Sequence, residues 1–158
     1  MMGEMYKAYY QSPIGMIEIT GNTEGILGIG FTDQITAAAA AAPDCLKDCV
    51  RQLDEYFQGT RKEFTLRLLP QGTPFQMKVW HALQAVPYGR TASYKDIAAA
   101  VGSPKAVRAV GGANHRNKIA ILIPCHRIIG KNGTLTGYGG GLWRKEWLLG
   151  HEQGKSKV

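Results

Sequence analysis

Residues 93–116, SYKDIAAAVGSPKAVRAVGGANHR, decide how the second half of this chain folds. Ser93 followed by Asp96 forms a capping box, in which each residue's side chain satisfies the other's backbone N–H, so a helix is predicted from Tyr94 to Val101. Gly102 then turns the chain, since glycine enters a left-handed turn without a steric penalty. Ser103-Pro104 reads as the opening of a next helix that ends at about His115 or Arg116. Two short helices about one glycine turn have the outline of a helix-turn-helix, and Lys105, Arg108, His115 and Arg116 give it a basic surface.

Working outward, the capping pattern recurs at Thr73-Pro74-Phe75-Gln76. That helix carries Val79, Trp80, Leu83 and Val86 and breaks at Pro87-Tyr88-Gly89. Pro70-Gln71-Gly72 reads as a linker, which sets the expected domains at 1–70 and 73–155. Before the linker, Met5–Gln11, Met16–Thr20 and Ile26–Thr32 are strand-like runs separated by Ser12-Pro13-Ile14-Gly15 and by Gly21 to Gly25, a small antiparallel meander. Apolar residues at helical spacing predict a helix from Cys45 or Leu46 to Phe57, and Glu63–Leu69 reads as one more strand. The alanines 37–42 are low complexity and carry no functional reading. Downstream, the apolar run Ile119–Ile123 suits a buried strand that delivers Pro124-Cys125-His126-Arg127 at its end. A glycine-rich loop from Gly133 to Gly141 and a final helix with Leu142, Trp143, Trp147 and Leu148 follow. The expected class is α+β: a small antiparallel sheet with a helix, then a mostly helical domain.

The chain has 158 residues, enough to bury a substantial core, and no apolar stretch approaches the roughly 20 residues of a membrane helix. The start has no basic region followed by an apolar run, so a cytoplasmic protein is expected, without a membrane partner. Nineteen Lys and Arg against 12 Asp and Glu leave a net charge of +7, which favours a polyanionic partner such as a nucleic acid. Three cysteines argue against a disulfide framework. Cys45 and Cys49 share a helix face and read as buried structural thiols, and the histidines and cysteines show no metal-ligand spacing.

Cys125 has different neighbours. A thiol reacts as its thiolate, and with an unperturbed pKa of about 8.5 only a minor fraction is ionised at neutral pH. His126 and Arg127 follow it, yet successive side chains of an extended segment point to opposite faces, so adjacency alone does not put His126 on the sulfur.

The wider pattern carries more. Arg108-Ala109-Val110-Gly111-Gly112-Ala113-Asn114, then Asn117, then the run from Ile121 to Gly130 closely resemble the O6-alkylguanine-DNA alkyltransferase family. The resemblance continues through Tyr138, Gly140-Gly141-Leu142 and Lys145-Glu146-Trp147-Leu148-Leu149 to His151-Glu152, and covers roughly half the chain. It implies a ribonuclease-H-like first domain and a monomer that uses no cofactor. It also implies stoichiometric, irreversible transfer of the alkyl group of O6-alkylguanine, and of O4-alkylthymine, from duplex DNA to Cys125. His126 would take the thiol proton through a water, Glu152 would orient His126, Tyr94 would donate to guanine N3, and Lys145 would lie near the thiolate and O6. Arg108 would fill the space of a flipped nucleotide, with Ser93, Tyr94, Ala109, Gly111, Gly112 and Arg116 also at the DNA in its minor groove. Asn117, Pro124, Tyr138 and Gly139 would form the hinge and the alkyl pocket.

Two departures stand out. Lys118 and Ala120 replace the usual loop residues after Asn117, and Gly139 stands where some members carry Ser, which leaves room for larger alkyl groups. The rival readings are a Cys-His hydrolase, which needs an oxyanion hole, and a DNA-binding module without chemistry, against which Cys125 itself argues.

Overall fold

The computed structural model describes residues 4–35, 42–130 and 133–154, and the alanine run up to residue 41 lies outside them. The fold is α+β, and the chain divides into two compact units, Met1–Pro70 and Gln71–Val158.

In the first unit, β1 (Tyr6–Ser12), β2 (Gly15–Asn22) and β3 (Gly25–Phe31) form an antiparallel meander in that order. Both turns are built by side chains that take backbone bonds. Ser12 Oγ accepts from Ile14 N at 3.1 Å and donates to Gly15 O at 2.6 Å, while Asn22 Oδ1 accepts from Glu24 N at 2.8 Å. Ile17, Ile19 and Ile26 are buried, and against the sheet lies α1 (Asp44–Phe57), whose buried stripe is Leu46, Cys49, Leu53, Tyr56 and Phe57. Cys49 is buried in that stripe and burial pushes its thiol up to about 12, whereas Cys45 is half-buried and donates to Asn22 O at 2.9 Å.

Glu63–Leu69, expected as a strand, forms a single parallel bridge from Leu68 to Ile26. Gln52 accounts for the difference. Its amide donates to Thr65 Oγ1 at 3.0 Å and accepts from Thr65 N at 2.9 Å, so a buried side chain of α1 takes the bond a strand neighbour would have made.

In the second unit, both capping boxes form. Thr73 and Gln76 exchange bonds of 3.1 and 3.0 Å at the start of α2 (Pro74–Gln84), and Ser93 and Asp96 exchange bonds of 3.0 and 2.9 Å at the start of α3 (Tyr94–Ala100). Gly102 turns the chain at φ +78°. The next helix, α4 (Val107–His115), begins later than expected, because Ser103-Pro104 is spent on a turn closed by Ala106 N to Ser103 O at 2.8 Å. Trp80 Nε1 donates to Ala113 O at 2.8 Å and ties α2 to α4. Two short strands, β4 (Ala92–Ser93) and β5 (Ile128–Ile129), pair in parallel, and α5 (Leu142–Glu152) starts after Gly141 at φ +94°.

A methyl at Gly21 would lie 2.5 Å from Gly25 O and 2.8 Å from Leu46 Cδ1, whereas one at Gly30 meets nothing within 4 Å. Gly21→Ala should therefore cost about 1–3 kcal/mol in urea denaturation, and Gly30→Ala should leave stability within about 0.5 kcal/mol of the parent.

Candidate active site

Cys125 is not delivered by a strand. Ile119–Ile123 is a chain of tight turns, and Cys125–Arg127 is a single 3-10 turn. Leu122 N bonds to Ala120 O at 2.8 Å around Ile121, whose φ is +71°, and Cys125 N bonds to Ile123 O at 2.7 Å around Pro124, at φ −80° and ψ 63°. Both are three-residue γ-turns, and the one at Ile121 is the rare positive-φ form, strained for a β-branched residue. Asn117 holds this arrangement. Its Nδ2 donates to Ile123 O at 2.8 Å and its Oδ1 accepts from Ile119 N at 3.0 Å. The apolar side chains remain buried, as the sequence run requires, but their backbone bonds go to Asn117 and to one another instead of a sheet.

Beyond the thiol, two buried side chains share one carboxylate. His126 Nε2 lies 2.7 Å from Glu152 Oε2, and Arg127 donates to both carboxylate oxygens, from Nε at 2.7 Å and from Nη2 at 3.0 Å. Arg127 Nη1 also donates to Val86 O at 2.7 Å. Burial alone would raise the Glu152 carboxyl, but His126 and then Arg127 outweigh it and hold it far below the usual carboxylate range. The ionised carboxylate only accepts, so Nε2 of His126 carries the proton and Nδ1 presents a lone pair. That Nδ1 is buried and has no hydrogen-bond partner among the described residues. Burial lowers the pKa of His126 despite Glu152, which favours the neutral imidazole.

Burial pushes the Cys125 thiol up, against the Asn117 side-chain hydrogen bond and the Lys145 charge, which draw it down. Lys145 is itself fully buried; burial lowers its pKa and the neighbouring Cys125 opposes this. The Tyr138 hydroxyl is buried without a hydrogen-bond partner among the described residues, and burial, then Cys125, raises its pKa well above the ordinary phenol.

The other residues singled out from sequence fall around this centre in different ways. Tyr94 is half-buried and its hydroxyl lies 2.6 Å from Thr136 Oγ1. The Ser93 side chain is used in capping α3. Arg108, Ala109, Gly112 and Arg116 are exposed and Gly111 is half-buried; no hydrogen bond or ion pair joins Arg108 or Arg116 to the thiol among the described residues. A Cβ at Gly139 would meet nothing within 4 Å. His115, Arg116 and Lys118 line a cleft of about 310 Å³ with Gln71, Gln76, Trp80 and Asn117. Sequence reading missed two residues. Arg127 lay in plain view beside His126, but its bond to Glu152 spans 25 positions. Thr136 sits in a glycine-rich loop with no signal that would single it out. No group of three or more His, Cys, Asp or Glu among the described residues could hold a metal ion.

Because the Glu152 pKa is depressed by folding, its ionised form stabilises the protein above the unfolded carboxyl value of about 4.3. That stability is lost as pH falls below this value. Glu152→Gln should thus cost about 3–5 kcal/mol at pH 7, by leaving Arg127 buried beside a neutral amide, and the difference from the parent in urea denaturation should shrink below about pH 4. A pH-independent difference would contradict the shared-carboxylate account.

Comparison with known proteins adds to this geometry. Residues 5–70 match the family model described as 6-O-methylguanine DNA methyltransferase, ribonuclease-like domain, and residues 74–154 match the DNA binding domain of the same name. A methylated-DNA–protein-cysteine methyltransferase of Methanosarcina acetivorans is 47% identical over 150 residues, covering 92% of this chain and 96% of its own. The constitutive enzyme of that name from Bacillus subtilis is 64% identical over 95 residues, which are 60% of this chain and 58% of that one. The crystal structure of Mycobacterium tuberculosis O6-methylguanine methyltransferase superposes with a TM-score of 0.86 at 40% identity, covering 98% of this chain and 96% of the other. The Mycobacterium tuberculosis protein in complex with DNA gives 0.84 at 42% identity, over 95% and 92% of the two chains. The chain belongs to the 6-O-methylguanine DNA methyltransferase family.

Proposed function

We propose that this protein repairs duplex DNA by moving the alkyl group of O6-alkylguanine, and of O4-alkylthymine, irreversibly onto Cys125. The observation that carries the reading is the position of Cys125: a buried thiol on a turn clipped by Asn117, followed by His126 bonded to Glu152 at 2.7 Å.

Burial favours the protonated form of the resting thiol. Ionising even an unperturbed thiol at pH 7 costs about 2 kcal/mol, and burial adds to that. The proton leaves when the alkyl carbon arrives, by way of one water, to the lone pair on Nδ1 of His126. Glu152 offsets the charge that forms on the imidazole, and Arg127 keeps the carboxylate from taking the proton itself. Sulfur attacks the alkyl carbon, the C–S bond forms as the C–O6 bond breaks, and the electron pair moves into the purine. Tyr94 donates to N3 and Lys145 faces the developing charge near O6. The proton held on His126 returns through water to the purine, so guanine is restored in the DNA and a thioether remains on Cys125. A thioether on a buried side chain has no ready route to hydrolysis, so each molecule acts once.

A carbon on O6 is out of reach of a thiol while the base is stacked, so the base must leave the helix. We read α3 and α4 as a helix-turn-helix that enters the minor groove, with Arg108 occupying the space of the flipped base. The glycines of α4 support this. Gly111 and Gly112 each cost about 0.5–1 kcal/mol relative to alanine in a helix. A Cβ at Gly112 meets nothing within 4 Å and one at Gly111 makes only ordinary contact with Tyr94, so internal packing does not call for either. A closely approaching DNA backbone does. Arg116 adds phosphate attraction, the DNA complex of the Mycobacterium tuberculosis relative supports the partner, and a cytoplasmic monomer fits the reading.

Cys125→Ala should bind the modified duplex and remove no alkyl group; removal by this variant would reject the assignment. Arg108→Ala should slow transfer from duplex DNA by about tenfold or more while reaction with the free O6-methylguanine base stays unchanged. Equal slowing on both would reject the flipping role.

A further inference from the structure

Thr136 touches two of the residues assigned to the reaction, one with its side chain and one with its backbone. Its Oγ1 lies 2.6 Å from the Tyr94 hydroxyl, and its carbonyl accepts from Lys145 Nζ at 3.2 Å. The third substituent is fixed as well, because the Thr136 methyl packs over Gly130, where any Cβ would lie 3.0 Å from Thr136 Cγ2 and 3.3 Å from Thr134 O. Gly130 N in turn donates to Thr134 O at 2.7 Å, which ties the loop to the end of β5. A β-branched side chain with its methyl pinned has one direction left for its hydroxyl, and here that direction is Tyr94.

We propose that Thr136 is a positioning residue for alkyl transfer, holding the Tyr94 phenol as a donor and the Lys145 ammonium beside the thiol from a single point in the loop. The inference rests on the functional reading above. A pair of hydroxyls can reverse its hydrogen bond. With the site empty either oxygen donates; when a purine nitrogen reaches Tyr94, the Thr136 hydroxyl turns its proton to the phenol oxygen and the phenol gives its own to the base. A phenol that accepts one hydrogen bond while donating another is the stronger donor, and its ring need not search for its direction. The buried ammonium of Lys145 is likewise aimed by the Thr136 carbonyl, an interaction that any residue at this position keeps. The hydroxyl is therefore the part that substitution isolates.

The test is the single-turnover rate of methyl transfer from duplex DNA containing O6-methylguanine, at saturating protein, for the parent, Thr136→Val, Thr136→Ser, Tyr94→Phe and the Thr136→Val/Tyr94→Phe double variant. Thr136→Val should lower the transfer rate by about three- to tenfold, the worth of one hydrogen bond, with DNA affinity unchanged. Thr136→Ser should restore most of that rate, and Thr136→Val should cost nothing further once Tyr94 is Phe. A Thr136→Val protein as fast as the parent, a Ser variant as slow as the Val variant, or an equal loss in the Tyr94→Phe background would each overturn the inference. An inactive parent would instead sink the functional reading itself.

Discussion

One carboxylate, that of Glu152, is shared by an imidazole and a guanidinium in a place water scarcely reaches. Burying three ionisable groups is costly unless their bonds are complete, and here Arg127 spends its donors on both carboxylate oxygens and on Val86 O. The carboxylate so held remains ionised, which puts the His126 proton on Nε2 and leaves a lone pair on Nδ1, the base of the proposed reaction. Glu152 is at the end of α5, His126 and Arg127 lie in the 3-10 turn, and Val86 follows α2, so the network also joins three segments of the second unit.

The turn that carries Cys125 is built with comparable economy. A run of isoleucines and a leucine would ordinarily pair as a strand, but Asn117 draws its backbone into two successive γ-turns and leaves Ile121 at positive φ. Strain of that kind costs about 1–3 kcal/mol and persists only where the surroundings enforce it. The buried apolar side chains anchor the turn from within, and Asn117 clips the loop from both ends of its amide. A strand would have set successive side chains on opposite faces. The placement of Cys125 therefore depends on the departure from regular structure.

What was legible in the sequence is what is encoded locally. The capping boxes at Thr73 and Ser93, the meander with its Ser12 and Asn22 turns, and the apolar stripe of α1 are written within a few residues, and they form as read, with boundaries shifted by a residue or two. The errors arise where a side chain takes the backbone bonds, Gln52 at Glu63–Leu69 and Asn117 at Ile119–Ile123, and where a backbone turn closed by Ala106 N to Ser103 O delays α4. The two-residue pairing of β4 with β5 leaves no periodicity to detect. At the site, Cys125, His126 and Glu152 came from a resemblance dense enough to single them out, and the bond from His126 to Glu152 is present in the fold. Arg127 and Thr136 were hidden for a different reason: their partners lie 25 and 42 positions away, and neither residue type declares such a partner in sequence.

The central claim is that Cys125 keeps what the DNA gives up. It is tested most directly by the intact mass of the protein after incubation with excess duplex DNA containing O6-methylguanine, followed by peptide mapping. The account predicts one added methyl per chain, located on Cys125, with no further gain however much DNA is supplied. An unchanged protein mass, whether the lesion persists or is removed repeatedly, or a methyl found on Cys45 or Cys49, would contradict it.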